Sequence, residues 1–90
     1  MPKAIVDPAD LRRFAQTLKH FNNELQAGMA ALQGQFAGLA DTWRDQEHEK
    51  FAREFSETML VINRFVEAAK EQIPFLLRKA ERIEEYLQQR

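Results

Sequence analysis

Two histidines, His20 and His48, and the acidic run around the second are the side chains whose types and spacing come nearest to metal or acid–base chemistry. Asp45, Glu47, His48 and Glu49 crowd together, and a carboxylate three residues from a histidine is a spacing by which one helix face can hold two ligands. The same residues are what a helix N-terminus favours, with oxygens for unpaired N–H groups and negative charge against the dipole. That capping reading requires no ion and is the one adopted. His20 stands in the other half of the chain, in a Lys-His-Phe segment beside an apolar stripe. There is no cysteine, hence neither a disulfide framework nor a thiolate ligand. No Gly-rich phosphate loop, nucleophile elbow or paired His and carboxylate motif occurs. The residues therefore predict a protein that is not an enzyme, with no cofactor, metal or small-molecule substrate.

The elements that carry these residues are legible from apolar spacing. Leu11, Leu18, Leu25, Leu32 and Leu39 stand seven apart, with Phe14 and Phe21 beside them and a second track at Met29, Phe36 and Trp43. Continuing the leucine series lands on Gln46, Arg53 and Leu60, whereas the second half places its stripe on Phe55, Ile62, Ala69, Leu76 and Ile83, interleaved with Ala52, Met59, Val66, Ile73, Ala80 and Leu87. One straight helix cannot hold both stripes on one face. The spacing predicts an all-α, antiparallel two-helix hairpin: helix one over about 8–40, a turn over about 41–45, and helix two over about 46–88. Asp7-Pro8 suits the start of the first helix, and Asp45 can cap the second. Residues 1–6 precede the first cap and are expected to fray. Pro74 predicts a kink or break near Ile73. Leu32 and Ile62 are expected on the seam.

Ninety residues make one domain, 1–90, too small for two helices to bury their apolar surface alone, so a partner is expected. Phe51, Leu60, Val61, Phe65, Phe75 and Leu77 exceed what one hairpin seam can cover. Two hairpins joining faces as an antiparallel four-helix bundle is the least demanding solution. Ala30, Gly34 and Gly38, four apart, suggest either close approach by another helix or a bent, frayed segment. The formal charge of −1, from 13 basic and 14 acidic side chains interspersed along the chain, offers no basic field for nucleic acid. The longest uncharged run, Leu25 to Ala40, is too short and Gln-rich to span a bilayer. The first residues show no basic segment followed by an apolar core, so any export is expected to be independent of a signal peptide.

Trp43-Arg44-Asp45 at the turn, Phe51 eight positions after the Trp, and the flanking amphipathic helices resemble the Trp-x-Gly (WXG) family, the small ESAT-like helical hairpins of type VII secretion systems. Asp45 stands where that family has Gly. Tyr86 lies where its export signal has Tyr, and Arg90, four positions later, is basic where the signal is acidic. The resemblance implies a homodimer, or a heterodimer with a related small helical protein, recognised by a membrane-associated secretion ATPase. It makes Trp43, Asp45, Phe51 and Tyr86 the candidate recognition residues; Gly34, Gly38, Phe65 and Phe75 are the candidate interface. The alternative is a cytoplasmic coiled-coil adaptor or assembly subunit that uses the same faces and is not exported.

Overall fold

The computed structural model describes residues 6–89; the segment expected to fray, up to Ile5, and Arg90 lie outside the described residues. Two helices account for nearly all of it: α1, Pro8–Leu39, and α2, Gln46–Gln88, laid antiparallel in a rod of 69 × 20 × 16 Å. Asp7 caps α1 by accepting from the Ala9 N–H at 2.9 Å, and Pro8 occupies the first turn, where its missing N–H costs nothing. The helix stays continuous through Gly28, Gly34 and Gly38. An added Cβ at any of the three would meet nothing within 4 Å among the described residues. At 3.6 residues per turn Gly34 and Gly38 fall on the side of α1 turned from α2. Pro74 does not end α2, which runs on for fourteen residues past it.

The seam between the helices is thin. Ala15, Met59, Val66, Ala69 and Ala80 are its buried apolar residues, and Val66 is the largest that is fully enclosed. Leu11, Leu18 and Leu25 border it half-buried, yet Leu32 and Leu39 are 49% and 44% exposed. Their displacement has a geometric cause: a strict seven-residue repeat on a straight helix rotates by about 20° per heptad. The leucines walk out of the seam, and Ala15, Asn22, Met29 and Phe36 turn into it. Leu32 is thus not a seam residue of the hairpin, whereas Ile62 is half-buried beside Met59 and Val66.

Among the described residues, two polar links cross the seam. Asn22, 3% exposed, donates from Nδ2 to the Val66 carbonyl at 3.1 Å, its Oδ1 remaining without a protein partner. At the open end Arg12 holds Glu84 through two bonds, Nε to Oε2 at 3.1 Å and Nη2 to Oε1 at 2.7 Å. An Asp at Val66 would bury an unpaired carboxylate at a cost of several kcal/mol, against a total stability on the order of 10 kcal/mol. Val66→Asp is expected to abolish the cooperative helical melt, while Leu32→Asp keeps its helix content; far-ultraviolet circular dichroism on both variants checks the seam.

Candidate functional site

At the closed end, α1 terminates with overlapping turns in which the N–H groups of Thr42 and Trp43 both donate to the Leu39 carbonyl, at 3.0 and 2.8 Å. Asp45 then starts α2. Its backbone is extended (φ −102°, ψ −175°), and no described residue has positive φ, so the position makes no demand for glycine. Its Oδ1 accepts from the His48 N–H at 3.0 Å and from the Trp43 indole Nε1 at 2.9 Å. One carboxylate therefore caps the helix and ties down the indole.

Beside this lock lies an aromatic cluster. His48 stacks on Phe36 with ring centres 5.2 Å apart and meets Trp43 edge-on at 5.0 Å. Phe51 continues it, 5.9 Å from Trp43, 5.6 Å from Phe36 and 5.8 Å from Phe55. Trp43 is half-buried, filling the turn with one side and leaving the other open. His48 is not the solvated cap residue that its acidic neighbours suggested: it is half-buried, and its Nε2 is enclosed without a partner. Among the described residues no three His, Asp or Glu side chains converge as a metal site. His20 is exposed and pairs with Glu24 at 3.1 Å.

The remaining candidates separate. Tyr86, 65% exposed, is at the opposite end of the rod, two residues beyond Glu84. Phe65 lies at mid-length, packed edge-on against Phe21 at 5.9 Å, and Phe75 is exposed further along α2. Phe14, Phe21, Leu32 and Leu39 of α1 and Phe51 and Phe65 of α2 form one exposed apolar flank. Towards the turn it deepens into a groove of about 260 Å³ lined by Leu32, Gln35, Phe36, Leu39, Phe51 and Phe55. The opposite flank is mixed, with Gln26, Gln33, Ser56 and Asn63 interspersed among Met29, Ala30, Met59 and the exposed Leu60. Sequence spacing missed Asn22 and the Arg12–Glu84 pair. An Asn in a heptad slot was a usable signal for the first; residues 72 apart gave none for the second.

The architecture is that of a small two-helix hairpin with a Trp-centred turn. The family model for proteins of 100 residues with a WXG motif, WXG100, matches residues 4–88, and the chain belongs to that family. Among solved structures it is similar to the secreted protein EsxB of Bacillus anthracis strain Sterne, at TM-score 0.79 and 22% identity, covering 96% of this chain and 98% of that one. A point variant of EsxB matches at TM-score 0.78 and 23% identity, covering 93% and 97%. Comparison with curated protein sequences finds no match.

Two outcomes follow. Asp45→Ala removes the cap and is expected to cost about 1 kcal/mol, whereas Asp45→Gly costs only a few tenths; urea melts of both, followed by Trp43 fluorescence, check this. Glu84 is held below the usual glutamate range, first by its hydrogen bond from Arg12 and then by that group's charge. Its contribution is thus fully present above the ordinary glutamate pKa and lost as pH falls through its lower folded value. Both groups are solvent-screened, so the effect is small. Glu84→Gln is expected to lower the melting temperature slightly at neutral pH and to converge on the unsubstituted protein at acid pH, flattening the acid limb; thermal melts across pH check it.

Proposed function

We propose that the protein is a substrate or co-substrate of a type VII secretion system, acting as a folded hairpin that pairs with a second small helical protein and is recognised by a membrane-associated ATPase. The observation that carries this reading is the closed end: Trp43, fixed by Asp45 and still half open, presents an indole on a rigid turn in a chain of the WXG100 family. Trp is enriched at interface hot spots because a large apolar surface is ordered at little entropic cost. Export independent of a signal peptide fits the fold shared with a secreted protein. No helix among the described residues is long and apolar enough to cross a membrane.

Pairing is supported by the exposed flank. Phe14 and Phe21 are 57% and 51% exposed, and six large apolar side chains on one side of a thin hairpin are an interface pattern. The partner is a second copy or a related small helical protein. In an antiparallel bundle Trp43 of one hairpin would lie near the Tyr86 end of the other, giving a composite recognition surface. Gly34 and Gly38, open on the outer side of α1, would then meet a partner other than this bundle mate. Catalysis has no part in this reading.

Trp43→Ala and Tyr86→Ala are each expected to leave helix content and pairing intact, and to reduce export and ATPase binding by at least tenfold. Export assayed in the native host, with binding measured on the purified ATPase domain, tests it. Unchanged export of both variants would leave the cytoplasmic adaptor as the better reading.

A further inference from the structure

We infer that the seam, on the flank away from the aromatic rings, binds the carboxyl-terminal residues of another polypeptide in extended form, with an apolar last residue. The role goes beyond the proposed function and uses a surface which that function leaves free. Three separate features meet there in one pocket of about 250 Å³.

The first is the buried amide. Asn22 lines the pocket, and its Oδ1 has no protein partner although Nδ2 is committed to the Val66 carbonyl. A buried acceptor without a donor costs free energy that a bound N–H recovers. The second is Pro74. Its ring carries no N–H, so the Lys70 carbonyl loses its helix donor, yet α2 runs on through the position and Lys70 lines the same pocket. Two oxygens here therefore lack donors. The third is charge. Lys19 and Lys70 line the pocket from the two helices; Lys19 makes no ion pair among the described residues, and Lys70 has an exposed contact with Glu67 at 3.3 Å. Ala15, Ile73 and Leu77 supply apolar surface between them.

A carboxylate for the lysines, an N–H for the unmet oxygens and an apolar side chain for Ile73 and Leu77 occur together in one unit, the last residue of a peptide chain. A phosphate would satisfy the lysines without offering an N–H. The seam also has room for what precedes that residue. Gln26 lines both this pocket and a second one of about 350 Å³ that follows the seam towards the turn, where Gln33, Ser56 and Asn63 stand beside Met29 and Met59. Side-chain amides offer both a donor and an acceptor, as the backbone of an extended chain requires. From Asn22 to Gln33 α1 rises about 16 Å, the span of roughly five extended residues. Gln16, Lys19 and Gln26 on the outer wall are exposed, so these long side chains can turn aside as the ligand enters.

Nuclear magnetic resonance titrations of the full chain test this with three probes: an acetylated pentapeptide of four alanines ending in leucine, the same peptide with a carboxamide end, and N-acetyl-leucine. The pentapeptide should shift the Asn22 side-chain amide signals and reach saturation. The carboxamide form should bind roughly tenfold more weakly, and so should the pentapeptide to the double variant Lys19→Gln, Lys70→Gln, with helix content unchanged. Gln26→Trp, at an exposed position between the two pockets, should weaken the pentapeptide and leave N-acetyl-leucine as it was. Equal affinity for the two peptide ends, or shifts that never saturate, overturns the inference. N-acetyl-leucine binding as tightly as the pentapeptide overturns the assignment to a polypeptide. The variants touch neither Trp43 nor the aromatic flank, so absent peptide binding with export intact sinks this inference alone.

Discussion

The amide of Asn22 reaches across the seam to the Val66 carbonyl, and the rest of the molecule keeps step with that bond. Apolar side chains alone would set the register weakly, because a leucine every seven residues looks much the same after a one-heptad slip. A buried amide does not tolerate such a slip, since it must find a carbonyl or lose its hydrogen bond in a dry environment. Ala69, almost fully buried one turn along from Val66, leaves room for the approach. Sliding by a heptad would set Asn22 against larger neighbours, Met59 or Ile73. The Arg12–Glu84 pair belongs to the same register at the open end.

At the closed end the constraint is of another kind. The turn is short, and Asp45 fixes it with a single oxygen that serves helix and indole together. A Gly in this position would contribute conformational freedom; the Asp contributes a cap in ordinary extended backbone. The departure from the motif that names the family therefore places a capping carboxylate in ordinary extended backbone. The ring cluster of Phe36, Trp43, His48, Phe51 and Phe55 then supplies the bulk that the alanine-lined seam lacks elsewhere.

The hairpin was legible in the sequence because the leucine series and the second stripe are out of phase, and a phase break is a property of spacing that needs no tertiary knowledge. The Trp43 turn was legible for the same reason. What escaped depended on distance or on accumulated rotation. Arg12 and Glu84 are at opposite ends of the chain. Leu32 and Leu39 match their heptad as well as Leu18 does, and only the 20° drift per repeat moves them outward. His48 was hidden by its acidic neighbours, whose charge suggests solvent even though its ring lies between Phe36 and Trp43.

The slenderness of the rod has a hydrodynamic consequence. Its radius of gyration, 20.3 Å, is that expected of a compact globule of roughly 350 residues, about four times this chain's length. A sieving column separates by size in solution, so a lone hairpin would elute ahead of its true mass and imitate an oligomer. Only methods that weigh the particle, independent of its outline, can count the chains in it.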